Sequence, residues 1–499
     1  MSGKVQLKKT LGLTGVTMNA MALIAPGAFL WLTFQLQAAQ VNTSGQSTAM
    51  DMFAGLIVAL IIAFLTAISY SKLSELYPEA GTGSSYYFAE HAFMSESSKL
   101  SIFSRIAKLL VGWFSHVYYW IYPGVMVAMM ATLITYIFGQ FGVNVPIMGQ
   151  MLIAIVFAAL TGAVAYRGIN GSTLSSIIIN VIQIVTLVFV TILAIIYRVT
   201  NPQHVVFVHK NLASVVMPHS LSNVLFQATI AILLLVGFES ATALAGESKS
   251  PKHISRGVIL SLVIQGLIFY IFEYTGANLW VNTAYKVGTK TGMAAAAASS
   301  APIGDMVKIL GDSLLNHTGF VLMIVVSISV GIAVFGSTLA CMNTGVRITY
   351  AMAKDKEVPS ILSAFHPKHA TPHTAVWIIS IVSAIVGAIG VISVTNLTAV
   401  TLFSNIGTFI LYGMTNLITL VAFLRHPSRN PFTHIVIPVL GFIANVGMLV
   451  AIMYLGIKGG GDTQTAAIAA IVTTVIWLLI GIFYFMYNSK QQNLSIMAK

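Results

Sequence analysis

Residues 231–247 read AILLLVGFESATALAGE. A bilayer or a buried core selects an apolar run of this kind, yet this one carries Glu239 directly after Gly237-Phe238. An ionised carboxylate at the centre of a membrane helix costs roughly 2.5–3.5 kcal/mol on insertion scales. So costly a residue marks a function, and the glycine beside it marks a place where a helix is easily broken.

The rest of the chain supplies the membrane. Its 499 residues are 57% hydrophobic and 8% charged, with a mean hydropathy of +0.88. A soluble chain would carry about a quarter charged residues. Apolar runs recur from end to end, each long enough for a hydrocarbon core about 30 Å thick. A β-barrel would show short alternating segments instead. The predicted fold class is an all-α polytopic membrane protein with about twelve transmembrane helices. They are centred near 12–35, 51–73, 109–138, 147–166, 173–197, 222–245, 257–281, 318–346, 374–394, 397–424, 433–457 and 464–487. The first follows Lys4, Lys8 and Lys9, is too long for a signal peptide and lacks a small-residue cleavage site, so an uncleaved helix is expected.

Charge sets the expected orientation. With the N-terminus in the cytoplasm, Arg198, Lys210, Lys286, Lys290, Lys308 and Lys458 fall outside, and the rest of the 25 lysines and arginines fall inside. That is the positive-inside bias. It accounts for the formal net charge of +12 without nucleic acid as a partner. The reading is a multi-pass protein of the plasma (cell inner) membrane, both termini cytoplasmic. The single cysteine, Cys341, excludes an intrachain disulfide and makes no metal or redox motif. No cofactor is expected.

Two halves repeat. Span one carries Ala25-Pro26-Gly27 in its middle, and span six, five spans later, carries Gly237-Phe238. Proline removes a backbone donor, and freed backbone groups at membrane depth are tolerated only where they are buried in protein or line a cavity. Five being odd, the second copy is inverted, and paired breaks in inverted halves point to a transporter's central site. Residues 1–200 then hold spans one to five, 201–424 spans six to ten, and 425–499 the last two spans and a short tail.

Three stretches carry a resemblance. CMNTGVRITYAMAKDKEVPSILSAFHPKHATPHTAV (341–376), PEAGTGSSYYFAE (78–90) and VGFESATALAGESKSPKHISRGV (236–258) resemble, in consistent order, motifs of the amino acid–polyamine–organocation permeases. The resemblance implies a leucine-transporter-type fold, with two inverted five-helix repeats plus two further helices. It also implies a small-molecule pocket at the breaks: Ala25, Pro26, Gly27 and Ala28 of span one, and Val236, Gly237, Phe238, Glu239 and Ser240 of span six. As polar residues inside apolar spans, Ser329 of span eight and Asn405 with Tyr412 of span ten are further candidates for its lining. Glu239 would hold a substrate ammonium or couple to a proton; fixing span six against a neighbour is the plainer alternative.

Two departures bear on substrate. Where relatives carry Gly-Ser-Gly in span one, Pro26 lacks an N–H, which removes one donor for a carboxylate and leaves amines and polyamines in play beside amino acids. Span five, IIINVIQIVTLVFV, has no lysine, only Thr186 near the expected register, so proton coupling through such a lysine is excluded. Glu273 and His116 remain as coupling candidates, each with a packing role as its alternative. Ser327 and Ser329 are the right types for a sodium site. The alanine run 294–298 and Gly459–Gly461 look like loop.

A membrane-embedded enzyme would need His, Asp or Cys groups that meet, and a nutrient sensor would be expected to carry a long soluble tail; the sequence offers neither. The expected function is secondary transport of amino acids or related amines.

Overall fold

The computed structural model describes residues 9–491 apart from 25, 94–100, 169–172, 202–216, 281–284, 367–368, 370 and 425. At 26–30, 79, 81–82, 101–105, 173–175, 269–280, 489 and 491 only the backbone is described.

The hydropathy pattern becomes helices almost one for one. The first span is split into α1 (Leu13–Ile24) and α2 (Pro26–Ala39), followed by α3 (Met52–Leu76), the short α4 (Ser85–Phe93) and α5 (Ser101–Gln140). Next come α6 (Ile147–Tyr166) and α7 (Thr173–Thr200). Span six is α8 (Leu221–Ala231), a turn, and a 3-10 helix at Phe238–Glu247, and α9 (Pro251–Trp280) is span seven. A hairpin of β1 (Lys286–Val287) and β2 (Lys290–Thr291), with α10 (Gly292–Ala298) and α11 (Pro302–Leu314), fills the long connection. The chain ends with α12 (Gly319–Lys354), α13 (His373–Gly390), α14 (Val394–Leu424), α15 (Ile437–Lys458) and α16 (Gly461–Gln491). Among the described residues, ten helical stretches are long and apolar enough to cross a membrane. The split first helix and the 30-residue α9 account for the other two expected spans.

The alanine run expected as loop is instead α10, packed on α2. Alanine is the best helix former, and a helix to lie against lets that propensity show.

Burial separates an inner set of helices from an outer one. Span six is 78% buried over its most apolar window and α5 and α14 are 67%, against 28% for α6 and 22% for α16. The outer helices turn isoleucine, leucine and valine outward, as a lipid solvent allows. The inner helices are stitched by polar groups: Asn416 of α14 accepts from Ser69 (2.7 Å) and donates to Thr66 (3.0 Å), both on α3, and Asn445 of α15 donates to the same Thr66 (3.2 Å). Trp113 of α5 and Trp477 of α16 stack at 4.7 Å, and each indole N–H donates to the other's carbonyl.

Two faces result. On the near face the chain before α1 pairs with the end of span six: Thr10 and Leu11 both donate to the Glu247 carbonyl at 3.0 Å, and Lys249 donates to Leu11 at 2.9 Å. Two of the three stretches that carry the resemblance also meet there. Lys108 bridges Glu90 (2.5 Å) and Asp355 (2.6 Å), and the Tyr86 hydroxyl donates to Asp355 at 3.1 Å. Burial first, and then the Asp355 charge, push the Tyr86 phenol well up, so it remains a donor. On the far face Val41 donates to Thr463 (3.2 Å) and His219 to Asp51 (2.7 Å).

Candidate functional site

The two breaks touch. Span six leaves α8 at Ala231, makes a 3-10 turn at Ile232–Leu234, and passes through Gly237 at φ 128°, a conformation that side chains disfavour. A Cβ at Gly237 would lie 2.6 Å from Ile24 Cγ1 and 2.8 Å from Leu23 Cδ2, so glycine also admits the end of α1. Beyond it, Phe238–Glu247 runs as ten residues of 3-10 helix, longer than such helices usually persist.

Hydroxyls answer the freed backbone. Ser240 donates to the Gly237 carbonyl at 2.6 Å, Thr242 to Glu239 at 2.6 Å, and Tyr122 to Leu233 at 3.2 Å. Ser337 of α12 donates to the Leu23 carbonyl at the end of α1. Asn405 of α14 donates to the Thr229 carbonyl of α8 at 2.7 Å.

Glu239 lies within this knot, 1% exposed. Its Oε2 accepts from the Tyr412 hydroxyl (2.8 Å) and from the Gly237 N–H (3.0 Å), and its Oε1 from the Tyr119 hydroxyl (3.3 Å). Every one of these donors is neutral. Among the described residues no basic side chain lies within 4.0 Å of the carboxylate. Aromatic rings close the space: Phe238 lies 5.3 Å from Tyr412 and 6.1 Å from Tyr70, and the buried Tyr118 ring lies 4.2 Å from that of Tyr119. Three hydrogen bonds from neutral groups orient the Glu239 carboxyl.

A cavity of about 270 Å³ runs from the breaks toward the near face, past Leu23, Asn19, Ser240 and Asn343 to Glu247 and Arg347. These last two form an ion pair at 3.2 Å.

The expected residues distribute unevenly over this site. Val236, Gly237, Phe238, Glu239 and Ser240 come together at the break of span six. Ala25 lies outside the described residues, while Pro26, Gly27 and Ala28 open α2 with the backbone alone described. Glu273 likewise has only its backbone described. Ser329 accepts from Gln183 of α7 (2.5 Å) and lies 3.5 Å from Thr186, and Ser327 donates to Met323 Sδ (3.6 Å). The hydroxyl that meets the span-one carbonyl is Ser337, about 12 Å further along α12 than Ser329 at 1.5 Å per residue. His116 packs between Trp113 and Trp120, and its Nε2 lies 3.2 Å from Thr349. Sequence reasoning missed Tyr119, Tyr118, Tyr70 and Ser337, although the run of tyrosines in span three (Tyr118, Tyr119, Tyr122) is a signal that an apolar span seldom carries by chance.

Split helices that meet in the core, a buried oriented carboxylate and a passage to one face define a multi-pass membrane permease. The amino acid permease family model matches residues 9–479, and the chain belongs to that family, within the amino acid–polyamine–organocation superfamily. It is 24% identical to the branched-chain amino acid permease BcaP of Bacillus subtilis (strain 168), covering 99% of this chain and 96% of that one. It is 22% identical to the methylthioribose transporter of the same organism, over 88% and 87% of the two chains. It is 24% identical to the low-affinity putrescine importer PlaP of Escherichia coli (strain K12), over 97% and 94%. The family and these relatives are transporters, not enzymes.

Proposed function

We propose that this protein is a secondary transporter that carries amino acids or related amines by alternating access, holding the substrate ammonium against Glu239 between the two broken helices. One observation carries the reading: a buried carboxylate held only by neutral donors. A carboxylate inside a protein is ordinarily paired with a cation. Here the cation is the substrate's, and it arrives and leaves with each cycle. Phe238, Tyr412 and Tyr70 offer ring faces and edges to an ammonium as well. For a carboxylate, the N-terminus of α2 brings N–H groups at Gly27 and Ala28 and a partial positive charge. An α-amino acid uses both ends; an amine or polyamine uses only the Glu239 end.

The halves move as inverted repeats, residues 1–200 against 201–424, with the near face cytoplasmic. Cysteine labels at Lys286 are then reached from outside intact cells, and labels at Lys252 are not.

The test is uptake by proteoliposomes of a radiolabelled panel of amino acids, amines, polyamines and methylthioribose, half of the vesicles preloaded with the same solute to separate exchange from import. Solutes with an ammonium should be taken up and compete with one another. Uptake of methylthioribose alone, a solute without an ammonium, would overturn the assignment of Glu239.

A further inference from the structure

On the far face, away from the breaks, lies a larger cavity of about 660 Å³ between the end of α5, the β1 strand and α11. Its walls hold a charge arrangement unlike that of the central site. Asp305 and Lys308 stand one turn apart on α11, a spacing at which opposite charges normally pair. They form no ion pair. Asp305 Oδ1 instead accepts from the Tyr136 hydroxyl (2.9 Å), and Oδ2 from the Tyr285 (2.7 Å) and Ser299 (2.6 Å) hydroxyls. Lys308 donates to the neutral Gln140 Oε1 at 3.0 Å. Lys286 adds a second cation to the lining.

Neutral partners fix both charges in place, and among the described residues neither has an ion-pair partner. A carboxylate offers about four acceptor positions and three are taken, while an ammonium offers three donors and Gln140 takes one. Burial first, and then the Asp305 charge, push the Tyr285 phenol well above its usual range, so it stays a donor. The cavity thus keeps one negative and two positive ends lining the same space.

We propose that this cavity is a second binding site, an outer station for a zwitterionic amino acid, with Asp305 taking the ammonium and Lys308 with Lys286 the carboxylate. It rests on the preceding reading only in that the solute is an amino acid. Its selectivity is opposite to that of a lone carboxylate. A diamine that put one ammonium on Asp305 would bring its other end against two lysines. The site also bears on the transport machinery: the Tyr136 ring meets Trp31 of α2 edge-on at 5.9 Å, and Gly304 of α11 lies against both rings. An occupant would therefore touch Tyr136, whose ring in turn meets the half-helix that begins at the central break.

The experiment is equilibrium binding of radiolabelled leucine, alanine and putrescine to the purified full chain, in wild type, Glu239→Gln, Asp305→Asn and Lys308→Met, and in Glu239→Gln combined with each far-face change. Wild type should bind leucine or alanine at two sites, and Glu239→Gln at one. Adding Asp305→Asn or Lys308→Met to Glu239→Gln should weaken that remaining site at least tenfold, since each removes a charged hydrogen-bond partner. Putrescine should not bind Glu239→Gln. Amino-acid binding in Glu239→Gln that is unchanged by either far-face substitution overturns the proposal, as does a single site in wild type. Asp305→Asn alone should keep the central site, which guards against a misfolded variant. If Glu239→Gln transports at the wild-type rate, the central assignment fails while this one stands.

Discussion

The 3-10 helix of span six carries a glutamate near each end, and the two are treated in opposite ways. Glu247, 28% exposed at the near face, has Arg347 at 3.2 Å. Glu239, 1% exposed in the core, has two tyrosine hydroxyls and a backbone N–H. Electrostatics alone would assign the cation the other way round, because an exposed pair contributes only about 0–1 kcal/mol while an unpaired buried charge is heavily penalised. A permanent partner at Glu239 would occupy the place where a substrate ammonium is to sit. On the proposed reading, the inner carboxylate is kept open for a visiting cation, and the outer one holds the passage in shape.

The comparison breaks first at Glu239. Glu239→Gln keeps the shape and both tyrosine contacts but removes the charge. Uptake should fall by at least an order of magnitude, because the lost partner of a buried ammonium costs up to several kcal/mol. Uptake at the wild-type rate in proteoliposomes would make Glu239 a packing residue and void the contrast.

What the sequence disclosed and what it hid follow from the range of each interaction. The spans and both breaks are local: hydropathy, Ala25-Pro26-Gly27 and Gly237-Phe238-Glu239 each lie in one stretch. The environment of Glu239 is not local, since Tyr119 stands 120 residues before it and Tyr412 173 after. Tyr412 is legible as a polar residue in span ten; Tyr119 is hidden among the other aromatics of α5. Which serine meets the span-one carbonyl is a matter of register. Along α12, Ser327, Ser329 and Ser337 are equally plausible hydroxyls, and only packing against the end of α1 selects Ser337. The far-face cavity escaped because its walls are not local: Tyr136 and Gln140 at the end of α5 meet Asp305 and Lys308 of α11 from 169 and 168 residues away.

The break itself is the next point of attack. Gly237→Ala forces a side chain into φ 128° and sets its Cβ 2.6 Å from Ile24 Cγ1. Strain of this kind costs about 1–3 kcal/mol. The melting temperature of the purified protein should drop and uptake should fall with it. Gly12→Ala is the control, because nothing lies within 4 Å of its added Cβ. Equal behaviour of the two variants would mean that the contact between the breaks carries no weight.

Pro26 tests the donor side of the site. As the first residue of α2 it lies in the first turn, where a missing N–H leaves the helix intact, since the N–H groups there have no intrahelical partner. The loss is felt only by a ligand carboxylate that would have used it. Pro26→Ser restores the donor, and a hydrogen bond to a charged group contributes about 1.5–3 kcal/mol. The affinity for α-amino acids should therefore rise about tenfold relative to their decarboxylated amines. No change in that ratio would show that Gly27 and Ala28 already suffice.

The smallest effect is expected at the paired glutamate, and it sharpens the comparison most. Glu247→Gln and Arg347→Ala each remove one half of a pair in which both side chains are 28% exposed, at the mouth of the near-face cavity. Exposed pairs of this kind contribute about 0.2–1 kcal/mol in double-mutant cycles. The backbone meanwhile holds the segment independently, through Thr10 and Leu11 on the Glu247 carbonyl and Lys249 on Leu11. Each substitution should change uptake by less than about fivefold, the equivalent of about 1 kcal/mol, and the double variant should match the larger of the two singles. Raising the salt concentration should shrink even that difference, because solvent screens an exposed pair and leaves Glu239 untouched. A loss at Glu247 as large as that at Glu239 would mean that exposure does not separate the two carboxylates, and that the passage and the binding site act as one unit.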